Sequence, residues 1–343
     1  MQLKSLARRW PISQSVSIRI GDLHVIWHRP ASPAQTAARG NLLFTAAAGI
    51  GCRTYQSFLS KISESCNLNV FTYDTRGIGD SHLPVAPAYA NGKKDIGRML
   101  GTDLKNLFWA LRDYASKEMP ADAGKQWIFC GHSLGTWLSV HAAVFTHIRK
   151  LILLDPPLFP LQDAARWALA CQLGRRNSHP LSRMTRRRKR TFRNSEQAIW
   201  VFSKLEFFKG WSKEHLAAYV DANYKADDMG LTLRHNPFWE ADIIESQPAS
   251  AAIELLSLPK EARNDMNVHA VFGLNSPFYS IESALLLRTA FRNSQIHSVQ
   301  DASHMLVFQN EEALLKLFKE NIVNDDFLEP PALAHQEKIA QGF

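Results

Sequence analysis

At 343 residues the chain has room for one large domain with an insertion or for two ordinary domains, and 45% hydrophobic with 21% charged residues is the balance of a soluble globular protein. No run of about 18 apolar residues is present to span a bilayer. The opening MQLKSLARRW lacks the apolar stretch and cleavage site of a secretory leader, so the cytoplasm is the expected location. The net charge of +8 is local, because residues 161–193 hold ten Lys or Arg and a single acid, Asp163. That stretch alone carries +9 and leaves the remainder at −1.

In chain order, residues 15–29 alternate as two strands joined at Gly21-Asp22, a hairpin signal. The apolar run 41–51 reads as a buried strand entering a glycine loop, and 67–81 repeats that theme. Ile96, Leu100, Leu104, Leu107, Phe108 and Leu111 recur at helical spacing over 95–117. A strand then leads to Ser133, a helix follows it, and 148–157 is another strand. From 159 to 243 the strand rhythm stops, and this stretch reads as helical, basic and rich in aromatics. Strand and helix alternate again from 268 to 322, and the tail 324–343 is polar. Strands alternating with helices predict an α/β fold: a mostly parallel central sheet, covered by helices on both faces. The expected division is a core of 15–158 and 244–323, a helical cap inserted at 159–243, and the tail.

The chemistry centres on Gly131-His132-Ser133-Leu134-Gly135, a Gly-x-Ser-x-Gly pentapeptide between a strand and a helix. A sharp turn there would lift the Ser133 hydroxyl above the sheet. It would also aim the Leu134 amide, at a helix N-terminus, toward a developing oxyanion. The four cysteines are widely spaced with no Cys-x-x-Cys pair, and the 13 histidines show no His-Glu-x-x-His, so neither a metal nor a disulfide framework is expected. Gly49-Ile50-Gly51 fails as a dinucleotide loop because Thr54 occupies the third glycine position, and no other cofactor is implied.

With this pentapeptide, YDTRGIGDS (73–81) and DASHMLVFQNEEALLKLF (301–318), the chain resembles the α/β-hydrolase superfamily over most of 15–322. The resemblance implies an acyl-transferring serine at Ser133 and a general base at His304. It also implies a second oxyanion donor at Ala48 or Ala47, found by placing Tyr55 on the family's usual aromatic. Many members carry their acid after the penultimate strand, where this chain has Ser276. The best substitute is Asp155, after the strand that follows the nucleophile, where some members place theirs; Glu282 and Asp301 are weaker. Asp155 can also be read as shaping the turn before Pro156-Pro157. Residues 231–243 resemble a segment of some capped members linked to lipid and secondary-metabolite chemistry.

The resulting expectation is a serine hydrolase of carboxylic esters, esterase- or lipase-like, acting on a small-molecule or lipid ester. A serine here argues against haloalkane or epoxide chemistry, for which the superfamily uses an aspartate nucleophile. The same machinery would serve an acyltransferase or lactonase, and the missing acid leaves room for a noncatalytic binding protein on the same scaffold. Asp74, Arg76 and Asp80 read as a loop-fixing ion pair, and His132 as a packing or loop residue. The run 183–193 reads as a solvated face that could also make weak contact with anionic surfaces; no nucleic-acid module surrounds it.

Overall fold

The computed structural model describes residues 15–30, 37–83, 94–122, 124–228, 230–247 and 251–323. The expected tail at 324–343 and the chain's first 14 residues lie outside them.

The central sheet has eight strands: β1 (Ser15–Ile20), β2 (Leu23–His28), β3 (Gly40–Thr45), β4 (Leu68–Tyr73), β5 (Trp127–His132), β6 (Lys150–Leu154), β10 (Asn267–Gly273) and β11 (Asn293–Val299). They lie in the order β1-β2-β4-β3-β5-β6-β10-β11. The β1–β2 hairpin turns at Gly21 and joins β4 antiparallel; every pairing from β4 to β11 is parallel.

The apolar runs make this sheet because both of its faces are covered. Leu42, Phe44, Ile128, Cys130, Ile152 and Leu154 enter the core on one face, while Leu43, Phe129, Leu151 and Leu153 enter the core on the other. Side chains on a strand alternate with a period of two, so near-continuous hydrophobicity is what two buried faces require. Helix α1 (Gln56–Cys66) packs on the first face. Helices α2 (Lys94–Glu118) and α3 (Leu134–Thr146) pack on the second, where Leu100, Leu104, Leu107 and Leu111 form the buried stripe of α2.

The order also places the site. From β3 the chain goes to β4 on one side and then crosses to β5 on the other. Loops leaving β3 and β5 therefore diverge, and a crevice opens at the carboxyl ends of those strands.

Between β6 and β10 the chain leaves the sheet. Helices α4 (Leu161–Gln172), α5 (Pro180–Arg186), α6 (Ser195–Phe202), α7 (Lys213–Asn223) and α8 (Pro237–Glu245) lie here, followed by α9 (Ala251–Ser257) and α10 (Lys260–Asn264). The purely helical expectation for 159–243 needs correction, because β7 (Thr191–Phe192), β8 (Tyr224–Asp227) and β9 (Gly230–Leu233) form a small antiparallel sheet, ordered β7-β9-β8. Gly230 lets β9 lie close on β7: its φ is +125°, and an added Cβ would stand 2.4 Å from the Phe192 carbonyl oxygen. Helix α8 also runs through the boundary expected at 243/244. After β10 come α11 (Ile281–Ala290), α12 (Leu306–Gln309) and α13 (Glu311–Leu317).

Most aromatics of the excursion pack on one another and on the core. Phe192, Phe202, Phe208, Trp211, Tyr219 and Tyr224 are buried in the cluster shared with α1 and α12, and the Trp211 ring lies 3.9 Å from that of Phe308.

Candidate active site

Ser133 ends β5 and begins α3 with φ 54° and ψ −119°, a backbone state costly for a residue with a side chain. Two close approaches hold it there. A Cβ at Gly131 would come within 2.2 Å of the Gly135 backbone, and one at Gly135 within 2.1 Å of the Thr45 carbonyl. Only glycine fits either position, which is the physical content of the pentapeptide. The Ser133 amide is donated to the Leu154 carbonyl at 2.9 Å, tying the turn to β6.

His304 lies in the loop between β11 and α12. Its Nε2 stands 2.9 Å from Ser133 Oγ and its Nδ1 2.7 Å from Asp155 Oδ2. A carboxylate only accepts, so Nδ1 carries the proton and the Nε2 lone pair faces the serine hydroxyl. Asp155 directly follows β6 with φ 45° and is fully buried. Its carboxylate also accepts from the Gly273 amide at 3.0 Å and the Ser276 hydroxyl at 2.6 Å. A buried carboxylate needs such donors, and Asp155 has three.

Three residues from three separate strand ends thus meet in one chain of hydrogen bonds. Glu282 and Asp301, the weaker acid candidates, are both exposed, on the first turn of α11 and in the loop before His304.

His132 is fully buried beneath His304. Its Nε2 donates to the His304 backbone carbonyl at 2.8 Å, and its Nδ1 meets the Tyr55 hydroxyl at 2.8 Å. Burial, with the charge of His304 as a second cause, lowers the His132 pKa to about 3, so the ring is neutral. Since a carbonyl only accepts, Nε2 holds the proton and Tyr55 must donate to Nδ1. Tyr55 in turn accepts from the Ala47 amide at 3.2 Å. One continuous chain therefore runs from the loop after β3 to the backbone of His304. Ala47's amide is committed to it, whereas Ala48 beside it is half-buried. Leu134 is buried at the first position of α3.

The excursion is pinned to the same loop. Glu240 of α8 packs so closely on Gly49 that a Cβ there would lie 2.0 Å from Glu240 Oε1. Glu240 pairs with Arg188 at 2.8 Å and with His235 at 2.8 Å, while Arg188 donates to the Tyr219 hydroxyl at 3.1 Å. Asn223 Oδ1 accepts from the Gly51 amide at 3.0 Å, and Trp239 Nε1 donates to the Arg76 carbonyl at 2.7 Å.

The basic run therefore divides. Arg186 pairs with Asp242 and Glu245, and Arg188 with Glu240, while Arg183, Arg187, Lys189, Arg190 and Arg193 are exposed. Reading the whole run as a solvated face missed the two inward arginines, because the acids they meet lie 52 to 59 residues away.

Asp74, Arg76 and Asp80 do fix loops, but not by pairing with one another. Asp74 takes His24 at 2.9 Å, Arg76 takes Asp103 at 2.6 Å, and Asp80 takes Arg53 and Arg234. His24, Cys52 and Asp74 cluster closely enough to hold a cation. Asp74, however, already accepts from His24 and from the Cys52 and Asp80 amides, and burial pushes the Cys52 thiol well up, so this donor set reads as structural. A polar cavity of about 410 Å³, lined by Arg19, Asp80, His82, Arg234 and His235 among others, contains none of Ser133, His304 and Asp155.

A model of the alpha/beta hydrolase family matches residues 42–317. The chain belongs to that family. No curated protein matches it. Among solved structures it is similar to E-2-(acetamidomethylene)succinate hydrolase (16% identity, 90% of this chain and 98% of that one, TM-score 0.64). It is also similar to an esterase of Mycobacterium tuberculosis (14%, 91% and 92%, 0.60) and to a thioesterase domain of the curacin biosynthetic pathway (14%, 89% and 98%, 0.59). At such identities the likeness carries the fold, an alpha/beta hydrolase sheet with its helices. Among the described residues, no helix is long and apolar enough to cross a membrane.

Proposed function

We propose that this alpha/beta hydrolase is a serine hydrolase of carboxylic esters, working through an acyl-enzyme on Ser133. The observation that carries the reading is His304 standing between Ser133 Oγ and the buried Asp155 carboxylate.

In the first step His304 Nε2 takes the hydroxyl proton as Ser133 Oγ attacks the ester carbonyl. The amides of Leu134 and Ala48 receive the oxyanion, and the α3 N-terminus adds its dipole. Asp155 keeps Nδ1 protonated and stabilises the imidazolium. The leaving alkoxide collects the proton from Nε2, and water, deprotonated by the same nitrogen, then releases the acid. The excursion between β6 and β10 acts as a cap over this site, an assignment supported by its contacts with Gly49 and Gly51. The esterase and thioesterase among the similar structures support an acyl substrate. A noncatalytic binding role drew on the missing acid after β10, and the Asp155 contact at His304 Nδ1 weighs against it.

The test is intact-protein mass after exposure to a fluorophosphonate. The parent is expected to gain one adduct, Ser133→Ala none, and Asp155→Asn to react far more slowly. A folded parent that stays unlabelled would overturn the proposal.

A further inference from the structure

Helix α5 is inside out for a soluble protein. Its buried side chains are Ser182 and Thr185, and the inward side includes Arg186, paired with Asp242 and Glu245. Ser182 donates to the same Glu245. Leu181 and Met184, one turn apart, face solvent at 45% and 65% exposure. The cause lies in α8, whose buried acids demand a polar face opposite them and leave the apolar residues outside. Joined to α5 through the turn at 176–178, α4 and its C-cap add Leu169 and Leu173, four residues apart and also exposed. Arg175, Arg183 and Arg187, close in sequence to these four residues, are also exposed, and the chain has no acid from 164 to 195.

Exposed leucine and methionine interleaved with arginine is the pattern of an interfacial surface. Apolar side chains enter the acyl boundary while guanidinium groups stay at the headgroups. The face also connects to the candidate site. Phe278 packs edge-on against His304 with ring centres 4.8 Å apart, Phe159 meets Phe278 at 5.1 Å and His179 at 6.4 Å, and His179 meets Trp167 of α4 at 4.8 Å. A line of rings thus leads from His304 to α4.

We infer that the α4–α5 face docks on an anionic lipid surface, from which an apolar ester reaches Ser133 along this line of rings. The second half rests on the serine-hydrolase reading; the docking itself does not. Sedimentation of Ser133→Ala with vesicles therefore tests docking whether or not Ser133 is a nucleophile.

The vesicles are phosphatidylcholine alone, and phosphatidylcholine with an equal part of phosphatidylglycerol. The protein is expected to sediment with the second at least tenfold more than with the first. Each basic residue near such a surface contributes roughly fivefold in partitioning, so Arg183→Glu with Arg187→Glu is expected to lower binding more than tenfold. Leu181→Ser with Met184→Ser is expected to lower it severalfold; the four positions are exposed, and an unchanged melting temperature verifies the fold. No sedimentation, equal binding to both vesicles, or binding unaffected by the Leu181 and Met184 changes would overturn the proposal. So would retention on duplex DNA without vesicle binding, or self-association lost in the same variants, since either assigns the face to a different occupant.

Discussion

Ser276 Oγ donates to Asp155 Oδ2 at 2.6 Å, so the residue at the position where the resemblance led us to expect an acid hydrogen-bonds to the carboxylate proposed in its place. The same Oδ2 is 2.7 Å from His304 Nδ1. Ser276 and His304 converge on one carboxylate oxygen, and Ser276 comes within reach of Asp155 because β6 and β10 are parallel neighbours.

This convergence makes the acid transferable. On the proposed mechanism Asp155→Asn lowers kcat by about ten-thousand-fold, since the asparagine no longer holds the imidazole in its productive tautomer. Adding Ser276→Asp to that variant is expected to recover at least tenfold of the loss. Ester hydrolysis by the single and double variants, compared at saturating substrate, checks both figures.

The glycines of the turn are expected to be intolerant of a methyl group. Gly135→Ala forces a Cβ to 2.1 Å from the Thr45 carbonyl, and Gly131→Ala one to 2.2 Å from the Gly135 backbone. Each is expected to destabilise the fold by about 2–4 kcal/mol. Gly124→Ala, whose Cβ meets nothing within 4 Å, stays within about 0.5 kcal/mol of the parent. Urea denaturation of the three variants separates them.

His132 gives the protein a pH-dependent stability. The folded state keeps its imidazole neutral down to about 3, because burial and the His304 charge both oppose protonation. The unfolded chain takes up that proton below about 6.5. More protons are then bound unfolded than folded, so stability falls as pH drops from about 6.5 toward 3, by about 1.4 kcal/mol per unit. His28, lowered by burial to about 4, adds to the slope in the upper part of that window. His132→Gln is expected to remove its own share of the slope. Unfolding free energies in urea at a series of acid pH values supply the measurement.

The Glu240–Arg188 pair should tolerate removal of both charges better than removal of one. Glu240 is 2% exposed and Arg188 21%, and its partner carboxylate raises the arginine's pKa against the opposing effect of burial. Glu240→Ala leaves the guanidinium with only the Tyr219 hydroxyl and removes the carboxylate that His235 meets, at a cost of about 3 kcal/mol. Adding Arg188→Met to that change is expected to restore part of the stability. Melting temperatures of the parent, both single variants and the double variant form the cycle that measures the coupling.

How much of this was legible in the chain follows from how far each signal reaches. Apolar runs such as 41–46 and 127–130 mark buried parallel strands because a strand covered on both faces has no polar side to show. The turn at Ser133 is legible because its glycines answer to neighbours within the pentapeptide and to the adjacent strand. His304 is found through the resemblance of 301–318 to the superfamily's C-terminal segment. What the chain conceals is every contact whose partners are distant in sequence and similar in local pattern to ordinary residues. Asp155 before two prolines can be read either as the substitute acid or as a turn residue until β6 and β10 lie side by side. His132 looks like packing until its carbonyl partner arrives from 172 residues away. Arg186 and Arg188 look no different from Arg183 and Arg187, and only the acids of α8 decide which turn inward. Local periodicity and steric demand are written in the order of residues; which buried charge meets which is settled when the strands and helices pack, because only then does each lose the water that had been its partner.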